Sequence, residues 1–478
     1  MNNANINNRN IQKDLPEEKK ILVVASLAEF AERYGYYIIQ ALLIFYLIDE
    51  FKFTEKLSDS LVGTIISMVY ISSILGGFIA ERYIGYYRSG LLGALLMFSG
   101  FFLLTSSTNQ NLLFLSLSFI SISTGLIKPN MSAFIGQFYD KANLNNSRRD
   151  FGFNIFYMFI NLGSFIALLI SRRLADNYGY VTPFYSAVIV SFFMFCLLCI
   201  GLKYLNKYVA EIKITLSIFL KVTFLIGLYI AILFQIFKYP TIASLAAIIS
   251  LIAASIILTV SIKFSSFKRV LTAGLFFIAS LVYWALFFQS NISIYLFIQY
   301  SVNTSLLNSS EIISIEALSV LFFALIVGKF WLYLDKKGIK INYIDKFIIA
   351  FVLITITFLI VLLTIMLSQD NYKVSAYGFI FAYILLGISD LSLSATGLSM
   401  VTKIAPKGFV SLYMGIWLII IGLGGKLGGY ISSLFYISET NLALSKANMS
   451  NGLITFIVLS LLSILLILLF RKFINKNI

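Results

Sequence analysis

The sequence predicts an all-helical integral membrane protein of about fourteen transmembrane helices, arranged as two six-helix bundles plus an accessory two-helix hairpin. Three observations lead to this prediction. Hydrophobic residues make up 59% of the chain and charged residues only 12%, whereas soluble domains carry about 25% charged residues. Runs of about 20 apolar residues, each long enough to cross a hydrocarbon core, recur from Ile21 to Phe470. Lys and Arg are concentrated in the links on one side of these runs.

The apolar runs define the predicted spans in order along the chain. We place them at 21–48, 60–80, 89–107, 112–138, 151–171, 181–202, 214–236, 241–262, 271–299, 312–334, 347–368, 376–402, 410–436 and 450–470. The basic links include the N-terminal one, so the positive-inside rule places both termini in the cytoplasm and requires an even number of spans. Residues 1–20 are polar and Asn-rich without a cleavage site, so we expect a disordered cytoplasmic tail rather than a signal peptide.

The order of the spans predicts the domain organisation. Six spans fall within 21–205 and six within 266–472, and two spans of generic apolar composition lie between them, within 206–265. Transporters built from two similar halves form their substrate site between the halves, near the middle of the membrane. The grouping comes from counting spans, and it predicts a solute carrier.

The sequence lacks the residue patterns that several other classes of function require. The basic residues are spread over many links instead of one domain, which argues against nucleic-acid binding. An enzyme would need a nucleophile with its base, or a set of metal ligands, and neither pattern is present. Cys196 and Cys199 share an apolar span in a chain without His, so we expect small core residues and neither metal nor cofactor. If protons cross this protein, carboxylates must carry them.

The first span carries an unusual polar stripe. Glu29, Glu32 and Arg33, followed by Tyr36, Tyr37 and Gln40, recur at helical spacing and share one face of an otherwise apolar helix. A charge near the bilayer centre costs about 2.5–3.5 kcal/mol on insertion scales. Two acids and one base at this spacing can exchange partners, so one acid can release a proton while the other holds Arg33. The alternative is a buried ion cluster that only fixes helix packing.

Three further polar sites lie within later spans. Lys128 precedes Pro129 in the fourth span, where proline frees backbone carbonyls. Asp390 and Ser394 lie one turn apart in the twelfth predicted span. Glu316 lies near the start of the tenth predicted span. It either faces the pathway or, in the alternative interpretation, lies at the level of the lipid headgroups near a helix end. Lys426, which follows Gly424 and Gly425, is a further embedded base, with the alternative that it only pairs with a neighbour. A basic residue in each half that faces acids elsewhere suits a zwitterionic solute with separated charges.

Several ordered motifs carry a family resemblance. They are Glu29-x-x-Glu32-Arg33-Tyr34-x-Tyr36-Tyr37, the stretch from Gly76 to Gly85, the stretch from Gly125 to Phe134, the stretch from Phe153 to Ser164, and Trp284 to Phe287 with Trp417. Together they resemble the proton-coupled oligopeptide transporter family of the major facilitator superfamily. The resemblance runs from Glu29 to about Tyr430 and implies the major facilitator fold.

The resemblance also implies roles for individual residues. Glu29, Glu32, Arg33 and Asp390 would couple protons, and Lys128 would hold the carboxylate of a di- or tripeptide. Asp390 occupies the position of the acid on the family's tenth helix, which binds the substrate amino group, and Ser394 follows one turn later. The residues expected to line the pocket are Tyr36, Tyr37, Tyr70, Asn161, Trp284 and Trp417. The implied protein is a proton symporter, functional as a monomer in the bacterial inner membrane, with peptides, protons and the lipid bilayer as its partners.

The departures from the family pattern bear on the substrate. Gln40 replaces an Arg and Phe288 replaces an acid, and because these two can pair in the family, their joint absence removes one ion pair. Glu316 replaces an Asn that meets the substrate amine, and Ala317 and Ala395 replace prolines. The predicted site has one cation fewer for a carboxylate and one acid more for an amine. Amine-rich or modified peptides are therefore alternative substrates. An alternative function is a carrier of the same fold for a drug, amino acid or metabolite, with weak or no proton coupling.

Overall fold

The computed structural model describes residues 16–142, 144, 146–205, 212–239, 243–305, 307, 309–339, 341–369, 372–432, 435, 437 and 441–477. Within them the chain forms fifteen α-helices. Their bounds are α1 Pro16–Asp49, α2 Glu55–Ile79, α3 Tyr86–Thr105, α4 Gln110–Lys141, α5 Asn146–Tyr178, α6 Val181–Leu205, α7 Leu216–Lys238, α8 Ala243–Ser261, α9 Phe267–Phe287, α10 Ser293–Ser301, α11 Ser309–Lys336, α12 Tyr343–Met366, α13 Ala376–Ile404, α14 Val410–Ser432 and α15 Leu442–Asn477.

The all-helical membrane fold is confirmed, and every predicted span overlaps one or more of these helices. By length and composition, twelve segments of the described chain can cross a membrane, with α9 and α10 counted as one. The exact count of fourteen is therefore not confirmed. The two remaining long helices are α1, which carries Glu29, Glu32 and Arg33, and α8, whose described apolar stretch is Leu251–Phe264.

The predicted tail needs a correction at its end. Helix α1 begins at Pro16, so residues 16–20 are helical, while residues 1–15 lie outside the described part of the chain. Glu18 is buried, where it accepts hydrogen bonds from Tyr139 (2.8 Å) and from Arg148 (2.8 Å). These contacts fix the start of α1 against the end of α4 and the start of α5, which explains why the polar sequence is helical there.

The predicted span 271–299 is also not one continuous helix. Helix α9 ends at Phe287, a 3-10 turn follows at Phe288–Asn291, and α10 then begins at Ser293. The break is stabilised by polar side chains, because Gln289 donates to the Gly428 carbonyl (2.9 Å) and accepts from Ser293 (2.7 Å). Hydropathy alone does not show such a break, since the flanking residues are apolar.

Close helix crossings depend on glycine. A Cβ on Gly76 of α2 would fall 1.9 Å from the carbonyl oxygen of Gly125 on α4. The reverse also holds, because a Cβ on Gly125 would fall 2.4 Å from the Ser72 carbonyl oxygen. Small residues allow such backbone contact in lipid, where packing rather than the hydrophobic effect drives helix association. The crossing fixes α2 beside the segment of α4 that carries Lys128.

Helices α1–α6 and helices α9–α15 meet along α5, α11 and α13 and along α2, α4 and α14. We call the side of the bundle at which α1 begins and α15 ends the terminus side, and the opposite side the far side. The starts of α5 and α12 lie on the terminus side, as shown by the ion pairs Arg148–Glu18 (2.6 Å) and Arg471–Asp345 (2.6 Å).

Candidate functional site

Arg33 and Glu32 form a buried two-point ion pair on α1. The Arg33 Nε donates to one Glu32 carboxylate oxygen at 2.5 Å, and its Nη2 donates to the other at 2.6 Å. The guanidinium also lies 4.5 Å from the centre of the Tyr36 ring. Both acceptor oxygens of Glu32 are thereby used, so in this conformation Glu32 is the acid that holds Arg33.

Glu29, one turn earlier on α1, has no such partner. Its side chain is 0% exposed, and neither carboxylate oxygen has a hydrogen-bond donor among the described residues. An ionised carboxylate in that position carries a large desolvation cost, which a bound proton removes. The geometry therefore divides the predicted cluster into one paired acid and one acid free to hold a proton.

Lys128 of α4 faces the same cluster. Its Nζ lies 5.3 Å from the centre of the Tyr70 ring, and its charge interacts with those of Glu29, Glu32 and Arg33. The side chain is only partly buried. Lys128 is therefore a cation within electrostatic reach of Glu29 that solvent can also reach.

Asp390 of α13 is the buried acid of the opposite half. It accepts hydrogen bonds from Ser394 (2.5 Å) and from the Tyr157 hydroxyl (2.7 Å). Asp390 and Ser394, which lie one turn apart in the sequence, are thus joined by a hydrogen bond in the structure. Tyr157, which sequence analysis missed, lies on α5, so this hydrogen bond joins the two halves; its only signal was a position within the Phe153–Ser164 motif.

Glu316 of α11 lies at the crossing of α11 with α13, within electrostatic reach of Asp390. A Cβ on Gly387 of α13 would fall 2.7 Å from the Glu316 carbonyl oxygen, and Asp390 follows Gly387 by three residues. The Glu316 and Asp390 charges interact, and Glu316 also acts on Tyr37 of α1. Glu316 is therefore placed toward the interface between the halves.

The remaining predicted residues divide by exposure. Tyr37, Tyr70, Asn161 and Phe288 are partly exposed, and Gln40 is exposed. The buried ones are Tyr36, Trp284 and Trp417. Trp417, 1% exposed, packs on Gly397, whose added Cβ would fall 2.2 Å from its ring. In this conformation Trp417 is a packing residue.

The terminus side is closed by a buried ion pair that the sequence analysis did not single out. Asp150 at the start of α5 pairs with Lys346 at the start of α12, and the two side chains are each 3% exposed. The second Asp150 oxygen accepts from Ser399 of α13 at 2.6 Å. Lys346 Nζ also lies 5.0 Å from the centre of the Trp331 ring. We call Asp150, Lys346, Ser399 and Trp331 the gate cluster.

A second set of contacts closes the same side. Glu81, in the π-helical turn after α2, accepts from the Ser411 backbone N–H at the start of α14 (2.6 Å). The Ser411 hydroxyl donates to Asn130 of α4. Arg149 of α5 donates to Thr402 of α13 at 2.6 Å. Glu81 and Asn130 belong to the Gly76–Gly85 and Gly125–Phe134 stretches named above, but these contacts join residues far apart in the chain and were not predicted from the sequence.

No hydrogen bond between the halves lies on the far side of the Tyr157–Asp390 contact among the residues that the structure describes. Gln40 is exposed there, and α1 and α9 are not among the closely packed helix pairs. The hydrogen bonds between the halves in this part of the chain thus lie on the terminus side and at the level of the Tyr157–Asp390 contact. Two groups of helices joined by such contacts on one side, with buried charges at their interface, are the arrangement of a secondary membrane carrier of the alternating-access type.

Comparison with known proteins gives the particular family. The chain belongs to the POT family, whose model matches residues 87–448. It is 28% identical to the transporter YclF of Bacillus subtilis (strain 168), over 90% of this chain and 92% of that protein. It is 29% identical to the di-/tripeptide transporter of Lactococcus lactis subsp. cremoris, over 85% of this chain and 88% of that one. The predicted family resemblance is confirmed, and the chain is a multi-pass membrane transporter.

Solved structures agree with this assignment. A peptide transporter POT in complex with sulfate matches with a TM-score of 0.68 at 25% identity, covering 96% of each chain. A mutant of a peptide transporter POT in complex with alafosfalin matches with the same TM-score and identity, over 96% of this chain and 95% of that one.

Proposed function

We propose that this protein is a proton-coupled symporter that imports di- and tripeptides or related small nitrogenous solutes. The observation that carries the proposal is Glu29, a fully buried carboxylate without a hydrogen-bond donor beside the Glu32–Arg33 pair. The charge interaction of Lys128 with Glu29 gives the proton site a route to the substrate. The names of the relatives, which include dipeptide and tripeptide permeases, support the substrate class.

The charges suggest a sequence of events. From the far side, a peptide places its carboxylate at Lys128 and its amino group at Asp390, so the substrate spans the two halves. Once the carboxylate engages Lys128, the interaction of that cation with Glu29 weakens, and a proton on Glu29 compensates. A substrate that neutralises charges in both halves stabilises the state in which the halves close on it. We propose that aromatic side chains line the pocket, with Asn161 as a polar neighbour and with Gln40 and Phe288 at the far-side end of the pocket. The aromatic residues are Tyr36, Tyr37, Tyr70, Trp284 and Trp417.

Uptake into proteoliposomes with and without an imposed pH gradient tests the proposal. We expect gradient-driven accumulation of an alanine dipeptide by the wild-type protein and its loss in Glu29→Gln. Glu50→Gln is the matched control, because Glu50 is exposed at the end of the same helix. Accumulation that ignores the gradient in the wild type, or persists undiminished in Glu29→Gln, would contradict the proton role.

We further propose the membrane context. The terminus side carries the excess of Lys and Arg, so it would face the cytoplasm of a bacterium, and the conformation described would open outward. The proposed domains are the bundles 21–205 and 266–472 with the hairpin 206–265, acting as a monomer. Labelling of single cysteines at Lys141 and Glu50 with a membrane-impermeant reagent in intact cells tests the orientation, since only the latter should react.

A second candidate function is transport of a non-peptide solute by the same fold. The observation that favours it is the absence of the Arg and acid expected at positions 40 and 288, where the structure has an exposed Gln and a partly exposed Phe. Counterflow experiments in which amino acids, drugs and dipeptides compete would separate the two. Exchange of an amino acid or drug without competition by any dipeptide would favour the second function.

A further inference from the structure

Glu316 and Asp390 form a pair of acids at the interface between the halves, and only one of the two is satisfied. Asp390 accepts hydrogen bonds from Ser394 and Tyr157, which stabilise its charge. No side-chain hydrogen bond or ion pair of Glu316 occurs among the described residues, and its side chain is partly exposed. The helix crossing at Gly387 brings the Glu316 backbone against α13, one turn from Asp390.

The charges of the two halves differ. On α1 and α4, the acids Glu29 and Glu32 lie near the bases Arg33 and Lys128, so this cluster carries as many bases as acids. Around Glu316 and Asp390 lie the phenols Tyr37, Tyr157, Tyr283 and Tyr383, of which Tyr157 donates a hydrogen bond to Asp390. No Lys or Arg among the described residues forms an ion pair with either acid. A zwitterionic peptide brings a single amino group to this place. One acid is then neutralised and the other is not.

We propose that Glu316 and Asp390 form an acidic subsite for a substrate with two neighbouring cations, such as a peptide whose N-terminal residue is Lys or Arg. The inference rests on the proposed function, because Asp390 takes the amino group in both. Glu316 takes the cationic side chain, for which its partial exposure leaves access. Tyr37, on which the Glu316 charge acts, places this subsite toward α1 and the substrate path.

The test is a competition series in proteoliposomes. The apparent affinities of Lys-Ala, Ala-Ala and Asp-Ala are measured by counterflow for wild type, Glu316→Gln and Glu316→Asn. The control is Glu311→Gln, which removes an exposed acid from the first turn of the same helix. We expect Lys-Ala to bind better than Ala-Ala in wild type and in the control, and this preference to fall by about tenfold in both Glu316 variants, or about 1.4 kcal/mol.

The outcomes separate this inference from the proposed function. If no dipeptide competes in the wild type, the proposed peptide transport fails. If Ala-Ala competes normally but the ranking of the three dipeptides is the same in wild type and Glu316→Gln, only the acidic subsite is refuted. If Glu316→Gln leaves the ranking unchanged and alters the pH-gradient dependence of Ala-Ala uptake, Glu316 holds a proton instead, which also overturns the subsite. Retained Ala-Ala counterflow in each variant shows that the protein has folded.

Discussion

Replacing Lys346 by Met should shift the protein toward the conformation that opens on the terminus side. The side chains of Lys346 and Asp150 are each 3% exposed, and the pair joins α5 to α12 across the halves. Without Lys346, Asp150 keeps its hydrogen bond from Ser399 but loses its cation. The charge left behind is solvated once the halves separate, so the closed state alone bears the cost.

The magnitude follows from the burial of the pair. Removing one partner of a buried ion pair costs about 3–5 kcal/mol, and the remaining Ser399 hydrogen bond favours the lower end. A shift of about 5.5 kcal/mol moves an equilibrium from 99:1 to 1:99. A cost of about 3 kcal/mol, roughly half of that, takes a strongly closed protein to comparable populations of both states.

Distances between spin labels provide the assay. Lys141 at the end of α4 and Lys337 just after α11 are exposed and lie one in each half, so both are replaced by Cys after Cys196 and Cys199 have been changed to Ala. We expect a longer distance to become populated in Lys346→Met. The double variant Asp150→Asn with Lys346→Met buries no charge and should return toward the wild-type distribution. An unchanged distribution in Lys346→Met would show that the gate cluster does not hold the halves together.

Four other substitutions have expected outcomes. Glu32→Gln removes the ion-pair partner of Arg33, so gradient-driven accumulation should collapse while counterflow survives in part. Lys128→Ala should abolish binding of a free carboxylate, whereas Gln40→Arg should retain or tighten dipeptide binding; an esterified dipeptide competing as well as the free acid would contradict this role. Gly76→Leu should prevent stable folding, measured as loss of monodisperse protein, because a Cβ would already fall 1.9 Å from the Gly125 carbonyl oxygen.

Much of the fold was predictable because the bilayer imposes one length and one polarity on every span. Helices α3 and α13 begin or end within a few residues of their predicted bounds. The break at Phe288–Asn291 was not predictable in this way, since it depends on the hydrogen bond from Gln289 to Gly428, a partner far along the chain. Tertiary contacts likewise make residues 16–20 helical despite their polar sequence.

The candidate site was predictable where charge is costly and not where charge is common. Glu29, Glu32 and Asp390 stand out inside apolar spans, and the structure buries all three. Spacing did not show which acid holds Arg33, because both Glu29 and Glu32 lie within one turn of it. Lys346 looked like any basic residue at a span end, and only its three-dimensional pairing with Asp150 distinguishes it.

The proposed substrate site and the gate cluster share two helices, so the proposed binding of substrate would act directly on the contacts that hold the gate closed. Helix α5 carries Asp150 of the gate cluster and, two turns on, Tyr157, while α13 carries Asp390 and, further along, Ser399. The Tyr157–Asp390 and Ser399–Asp150 hydrogen bonds therefore hold the same two helices at two levels. Under the proposed function, a substrate amino group at Asp390 would compete with the Tyr157 hydroxyl for the carboxylate. Because that competition would weaken the Tyr157–Asp390 hydrogen bond only when substrate is present, a loaded carrier would resist separation of α5 from α13 less than an empty one.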